Sequence, residues 1–121
     1  MKSTRVPDEL IVVNDGGDPS LRDMLFRIPR NTTIIYARIE EDILWGYNMA
    51  CNLGFWLSSG DVIGLQDTDH IPDRDTFEKG LHVLEIRPEV SRVAFGRKCV
   101  SINDVLNKPM SEWQVKKIWG S

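Results

Sequence analysis

Short apolar runs alternate along this chain with segments that have helical spacing. Residues 10–13 form a continuous apolar run rich in β-branched side chains, a pattern typical of a strand covered on both faces. Further strands are predicted at residues 33–37, 61–66 and 91–95. Helices are predicted at residues 21–28, 47–58 and 74–86, with a short one near residues 111–118. This alternation predicts right-handed βαβ units, and therefore an α/β fold with a mainly parallel sheet flanked by helices.

Capping residues and prolines set the predicted helix bounds. Asp18 is expected to cap the first helix, with Pro19 at its first helical position and Pro29 beyond its end. Gly60 is the expected stop of the second helix, and Pro88 is the expected stop of the third.

The composition is that of an ordinary globular protein. The 121 residues are 41% hydrophobic and 27% charged, which predicts a single domain over residues 1–121. Fifteen Lys and Arg against eighteen Asp and Glu give a net charge of −3, which disfavours binding to nucleic acid through a broad basic face. No apolar stretch reaches the roughly 18 residues that span a bilayer, and the polar start does not lead into a signal-peptide core. We therefore expect a soluble, cytoplasmic protein.

Acidic residues follow two of the predicted strands. Asp15 comes after the first strand, and Asp67 and Asp69 come after the third. Because the ends of parallel strands lie along one edge of a sheet, we expect these carboxylates to lie at the same edge, where ligands bind.

The Asp67-Thr68-Asp69 segment is the most informative of these acidic features. Two carboxylates at a strand end can face one small volume, and they repel each other unless a cation or a proton lies between them. Mg²⁺ or Mn²⁺ fits, because these ions take oxygen ligands and keep positions open for substrate phosphates. The alternative is a pair of solvated aspartates in a turn.

Two other interpretations of the acidic segment can be compared with it. A calcium-binding loop that begins at Asp67 is excluded, because Pro72 stands where such a loop needs glycine. A phosphatase with an aspartate nucleophile would also place two carboxylates after a strand, but it needs a supporting lysine and further acids on later strands. No segment beyond residue 95 supplies them in a convincing pattern, so this is the weaker alternative.

Three motifs together resemble those of the family-2 glycosyltransferases, which have the GT-A fold. The motifs are residues 12–17 (VVNDGG), 48–54 (NMACNLG) and 59–69 (SGDVIGLQDTD). The corresponding family patterns are a strand ending in V-D-D-G-S, a helix with A-x-N-x-G, and A-G-D/E-x-I-x-x-L-D-x-D. The resemblance covers roughly residues 7–95 and implies the Rossmann-like, nucleotide-sugar-binding half of such an enzyme.

The resemblance also implies roles for individual residues. Asn14 or Asp15 would lie against the nucleobase, and Asp67 would lie near the ribose and the metal ion. Asp69 would coordinate the Mg²⁺ or Mn²⁺ that bridges the diphosphate, and Asn52 would contact the nucleotide sugar or hold the Asp67 loop. The implied partners are a nucleoside-diphosphate sugar, with a UDP-sugar favoured, and an acceptor glycan or other hydroxyl compound.

The sequence departs from the family pattern at both ends. The family's first strand, of the type V-I-I-P-x-Y-N and normally central in the sheet, has no counterpart, and neither has the acceptor region with its general base. Glu112-Trp113 is not that motif, so no catalytic base is assigned. The alternative function is therefore a non-catalytic nucleotide-sugar-binding or assembly module. If nothing replaces the central strand, we expect an exposed sheet surface and a tendency to form homo-oligomers.

Three residues outside these motifs have open roles. His70 could be a metal ligand, a phosphate contact or an ordinary turn residue, and Arg97 and Lys98 could meet a phosphate or be solvated.

Gly54, inside the second predicted helix, indicates close backbone packing, because glycine there costs up to about 1 kcal/mol relative to alanine.

Overall fold

The computed structural model describes residues 3–27, 31–41 and 46–114 and, for the backbone, residues 116–117. In chain order the elements are β1 (Glu9–Asp15), α1 (Leu21–Arg27), β2 (Thr33–Ile39), α2 (Tyr47–Leu57), α3 (Thr76–Ile86), β3 (Lys98–Cys99), α4 (Ile102–Asn107), a 3₁₀ helix (Met110–Glu112) and β4 (Lys116–Lys117).

A parallel pair of strands forms the centre of the described structure. β1 and β2 pair along their full length, from Glu9 opposite Thr33 to Asp15 opposite Ile39. The two strands are joined through α1, as expected of a βαβ unit. β3 and β4 form a separate antiparallel pair of two residues each. The α/β class, with a small parallel sheet flanked by helices, is therefore confirmed.

Helix α2 packs against β1. Gly54 faces Val13, and a Cβ built on Gly54 would lie 3.7 Å from Val13 Cγ2, which is an ordinary contact distance. The carboxylate of Glu9 accepts hydrogen bonds from the backbone N–H and the hydroxyl of Ser59. These contacts hold α2 and the segment after it on the strand that ends at the acidic edge.

Helix α3 contacts the two segments that were expected to be further strands. The ring of Phe77 lies beside Gly64, where an added Cβ would be 3.9 Å from Cε1. The ring of Phe95 lies against Gly80, where an added Cβ would be 3.3 Å from Cζ. The acidic segment and the segment that ends at Arg97 are thus placed beside the same helix.

The predicted strands at residues 61–66 and 91–95 are wrong. In the described part of the chain, neither segment is hydrogen-bonded to another strand. A strand forms only where a second backbone satisfies its N–H and C=O groups, and an apolar pattern does not specify that neighbour. β1 is paired with β2 on one edge, and no other described segment pairs with its second edge.

The helices agree more closely with the sequence pattern. α2 ends at Leu57, with Ser58 as its C-cap, and α3 begins two residues after the predicted start, at Thr76. α1 begins at Leu21, two residues after Pro19, the first helical position expected from the sequence, and Asp18 Oδ1 accepts a hydrogen bond from the backbone N–H of Ser20 at 2.8 Å. The predicted ends of α1 at residue 28 and of the last helix at residue 118 lie outside the described residues.

The region after residue 100 was poorly predicted. α4 was not expected, although Ser101 is a good N-cap and its Oγ accepts from the backbone N–H of Asp104 at 3.1 Å. The helix predicted at residues 111–118 is wrong, because its described part contains the end of a 3₁₀ helix followed by β4. Trp113 Nε1 donates to the carbonyl of Lys108 at 3.0 Å, which fixes the 3₁₀ helix beside α4.

The described residues bury little apolar surface. None of their hydrophobic side chains is fully buried, and their buried residues are Gly46 and two polar residues, Asn14 and Asp104. Val62, Ile63 and Leu65, from the unpaired segment, are all exposed. No helix in the described part of the chain has the length and apolar character needed to cross a membrane.

Candidate functional site

The side chain of Asn14 organises the loop after β1. Asn14 is only 7% exposed, and its Oδ1 accepts a hydrogen bond from the backbone N–H of Gly17 at 2.8 Å. Its Nδ2 donates to the carbonyl of Asp18 and to the hydroxyl of Tyr36, both at 2.9 Å. The amide therefore has protein partners at its oxygen and for both of its hydrogens.

The two glycines of this loop are required locally. Gly16 has a φ of 71°, in the left-handed region that side chains rarely adopt. A Cβ on Gly17 would lie 2.5 Å from Asn14 Oδ1, so a side chain there would disrupt the Asn14 contact. The Gly-Gly sequence after the strand is thus explained by the turn that Asn14 holds.

Asp15, the next residue, has a different environment. It ends β1 and is exposed, and its carboxylate lies against the backbone of Gly46, the N-cap of α2. A Cβ on Gly46 would lie 2.5 Å from Asp15 Oδ2 and 2.8 Å from Oδ1. The absence of a side chain at position 46 therefore allows the carboxylate to approach the start of the helix, where the helix dipole favours negative charge.

Tyr47 connects the same helix end to the second acidic group. It is the first residue of α2, and its hydroxyl donates to Asp67 Oδ1 at 3.2 Å. A hydrogen bond with Cys51, together with the negative charge of Asp67, raises the pKa of Tyr47. Asp15 and Asp67 thus contact consecutive residues at the start of α2. The sequence argument placed them at one edge through the ends of parallel strands, but the strand before Asp67 does not form, so α2 rather than the sheet relates them.

A tight turn groups the acidic residues with His70. The backbone N–H of His70 donates to the carbonyl of Asp67 at 3.1 Å, and Gln66 Nε2 donates to the carbonyl of His70 at 3.0 Å. The imidazole lies between two carboxylates, with Nδ1 3.6 Å from Asp67 Oδ2 and Nε2 3.7 Å from Asp69 Oδ1. One ligand atom from each of Asp67, Asp69 and His70 lies within 4.8 Å of the others.

This donor set fits a divalent cation. Carboxylate oxygens suit Mg²⁺ and Mn²⁺, and an imidazole nitrogen is a ligand for transition-metal ions more than for Mg²⁺. Asp69 is largely exposed, whereas Asp67 and His70 are half-buried. The side chain of Asp69 can therefore adjust to an ion without disturbing the packing.

A basic residue reaches the same cluster from a different segment. Arg97 Nη1 lies 3.3 Å from His70 Nε2 and 3.9 Å from Asp67 Oδ2. The sequence left the role of Arg97 open, and its place beside Asp67 depends on how two loops pack on α3. Tyr47 was missed altogether, and its position at the start of the A-x-N-x-G-like helix is the signal that points to it.

Asn52 lies away from this cluster. It is exposed on α2, five residues beyond Tyr47, which places it roughly 140° around the helix from Tyr47. Within the described residues, no side-chain hydrogen bond connects Asn52 to Asp15 or Asp67. The structure therefore groups Asp67 with Asp69 and places Asp15 and Asp67 at the start of α2, but it shows no contact between Asn52 and these residues.

Comparison with known proteins identifies the family. The model of the family "Glycosyl transferase family 2" matches residues 2–118, which include the three motifs and every residue of the acidic cluster. No curated protein and no solved structure matched the chain. Because the family match extends over nearly the whole sequence, the chain belongs to glycosyl transferase family 2.

Proposed function

We propose that this chain binds a nucleoside-diphosphate sugar in a metal-dependent manner and transfers the sugar to an acceptor hydroxyl. Membership of glycosyl transferase family 2 supports a transferase. The observation that supports the donor site most directly is that Asp15 and Asp67 contact neighbouring residues at the start of α2, and that Asp67 belongs to the Asp67–Asp69–His70 cluster. One end of that surface suits a base and the other suits a diphosphate with its cation.

Asp67 and Asp69 would hold the metal ion, with His70 as a third ligand. When bound, a divalent ion supplies Lewis-acid stabilisation of the negative charge on the departing nucleoside diphosphate. The chain has a net charge of −3, so a cation is also needed for an anionic donor to approach these carboxylates. The imidazole favours Mn²⁺ over Mg²⁺.

Asp15 is the better candidate than Asn14 for recognition of the nucleobase. The amide of Asn14 is used within its own loop, whereas the carboxylate of Asp15 is exposed at the strand end. A carboxylate only accepts hydrogen bonds, so it selects a base that offers a ring N–H, as uracil and guanine do. This chemistry agrees with a UDP-sugar donor. Asn52 stays a predicted donor contact, although none of its described contacts reaches the acidic cluster.

A non-catalytic donor-binding or assembly module is the second candidate. The family's general-base motif has no counterpart in the sequence, and Glu112 lies in the 3₁₀ helix that Trp113 fixes beside α4. Binding without transfer would follow if no base is supplied to the acceptor. The predicted cytoplasmic location and homo-oligomeric state stay predictions.

Donor turnover separates the two candidates. The chain is incubated with Mn²⁺, UDP-sugars or GDP-sugars and a panel of hydroxyl acceptors, and release of the nucleoside diphosphate is measured. A transferase releases UDP or GDP only when an acceptor is present, and Asp69→Ala abolishes the release. Metal-dependent binding of the donor without any release would instead favour the binding module.

A further inference from the structure

Arg97 lies where a divalent cation would also bind. Its Nη1 is 3.3 Å from His70 Nε2 and 3.9 Å from Asp67 Oδ2, and both of these atoms belong to the candidate metal ligands. The side chain of Arg97 is 59% exposed, so it can leave this position without unpacking other residues.

The contact with His70 involves the lone pair that a metal ion needs. A guanidinium only donates hydrogen bonds, so His70 Nε2 accepts in this contact and offers its lone pair to Arg97. Coordination through Nε2 would use the same lone pair, and Asp67 Oδ2 likewise faces the guanidinium. Arg97 and a cation therefore compete for one site.

The chain before Arg97 is anchored on α3, while the Arg97 side chain is largely exposed. The ring of Phe95, two residues earlier, lies against Gly80 of α3. Gly96 has no neighbouring atom within 4 Å of the position of an added Cβ. A displaced guanidinium thus stays beside the cluster, within reach of a ligand that binds there.

We propose that the Arg97 guanidinium leaves Asp67 and His70 and binds the diphosphate of the nucleotide when a cation and the nucleotide bind together. This inference rests on the proposed function, since it takes the diphosphate as the ligand of the cluster. The planar guanidinium fork matches phosphate oxygens, and charge-assisted hydrogen bonds of this type are stronger than neutral ones. Binding of the cation and binding of the nucleotide then favour each other. The cation displaces Arg97 from Asp67 and His70, and the diphosphate offers the displaced guanidinium a new partner.

The test compares Arg97→Met, which removes the charge and keeps much of the length, with Arg92→Met as a matched surface control. Arg92 is exposed and makes no ion pair within the described residues. Binding of Mn²⁺ alone is followed by the paramagnetic resonance signal of the free ion. Binding of UDP and GDP is followed by calorimetry at saturating Mn²⁺.

Opposite effects are expected in the two titrations. Arg97→Met should bind Mn²⁺ alone roughly two- to fivefold more tightly than the wild type, as expected for loss of an exposed ion-pair competitor. It should bind the Mn²⁺-dependent nucleotide roughly tenfold more weakly or worse, because a charged hydrogen bond to phosphate is lost. Arg97→Lys should recover part of the nucleotide affinity, and Arg92→Met should match the wild type in both.

Each outcome either supports or overturns a part of the proposal. The competition between Arg97 and the cation would be overturned if Arg97→Met binds Mn²⁺ as the wild type does, or if no variant binds Mn²⁺. The contact between Arg97 and phosphate would be overturned if Arg97→Met binds the nucleotide as tightly as the wild type does. If the wild type binds Mn²⁺ but neither UDP nor GDP, the proposed function fails as well as the contact with phosphate. The Mn²⁺ titration alone would still show whether Arg97 competes for the cation.

Discussion

Two neighbouring residues at the end of β1 differ in what their side chains can do. The amide of Asn14 is buried and fully hydrogen-bonded within its loop, and the carboxylate of Asp15 is exposed beside α2. Within one strand end, the first residue therefore serves the turn and the second is left for a ligand. This separation gives a stability prediction at position 14 and a binding prediction at position 15.

Asn14→Ala should lower the free energy of unfolding by about 1–3 kcal/mol, because Gly17 N–H and the Asp18 carbonyl lose their partner in a part-buried loop. Asn52→Ala, at an exposed helix position, is the matched control and should change stability by less than about 0.5 kcal/mol. Urea unfolding measures both. Equal losses in the two variants would contradict the structural role of Asn14.

Gly46→Ala should weaken nucleotide binding by moving Asp15. The added Cβ would lie 2.5 Å from Asp15 Oδ2, and the exposed carboxylate can relieve this overlap only by moving away from the helix. A loss of up to roughly tenfold in UDP affinity is expected, the size of one charged hydrogen bond. Gly96→Ala, which would meet no atom within 4 Å, is the control, and equal UDP affinities in the two variants would argue against Asp15 as the base contact.

At the scale of elements, the helices contain two glycines in different surroundings. Gly54→Ala should stabilise the protein by up to about 1 kcal/mol, because the added methyl lies at an ordinary 3.7 Å from Val13 and alanine favours the helix. Gly80→Ala should stabilise the protein less than Gly54→Ala does, or should destabilise it, since its methyl would lie 3.3 Å from the ring of Phe95. Chemical unfolding compares the two, and equal gains would show that Phe95 does not pack on α3 as described.

The hydrogen bonds that join elements also predict a dependence of stability on pH. The hydroxyl and backbone N–H of Ser59 lower the pKa of Glu9 from its ordinary value of 4.5. A carboxyl whose pKa is lowered by folding stabilises the protein above pH 4.5, and this contribution is lost as the pH falls through the folded value. The unfolding free energy of Glu9→Gln should therefore fall less steeply below pH 4.5 than that of the wild type. Parallel pH curves would contradict the Ser59 contact.

The elements also show which features a sequence can predict. α2 was placed within one residue, because its apolar spacing and its C-terminal Ser-Ser-Gly sequence act locally. Residues 61–66 have a strand-like composition, but strand formation needs a neighbouring backbone that no local pattern specifies. Asp67 and Asp69 could be identified as candidate metal ligands from their spacing in the sequence. Tyr47 and Arg97 join the cluster only through packing between distant segments.

At the scale of the whole molecule, apolar surface remains uncovered. Leu65, in the unpaired segment, is 59% exposed, and β1 has a free edge among the described residues. We expect this chain, expressed by itself, to associate and to bind a hydrophobic dye, because free strand edges and apolar patches favour contact between copies.

Light scattering of Leu65→Lys and Leu106→Lys tests this expectation. Leu106 is 74% exposed and belongs to α4 rather than to the unpaired segment, so it is a matched control. Leu65→Lys should shift the protein towards the 13.8 kDa monomer, and Leu106→Lys should not. A wild-type chain that is strictly monomeric and binds no dye would contradict the account of the exposed segment.

The central claim is that Asp69 and its neighbours form a metal-dependent nucleotide site. Calorimetric titration of UDP, GDP and their sugar conjugates, with and without Mn²⁺, tests it most directly. The control is Asp61→Ala, which removes an exposed carboxylate at the start of the unpaired segment. The wild type and this control should bind one of the nucleotides, and only when Mn²⁺ is present. Asp69→Ala should not bind that nucleotide. Binding that is independent of Mn²⁺ or survives in Asp69→Ala, or no binding of any nucleotide by the wild type, would contradict the claim.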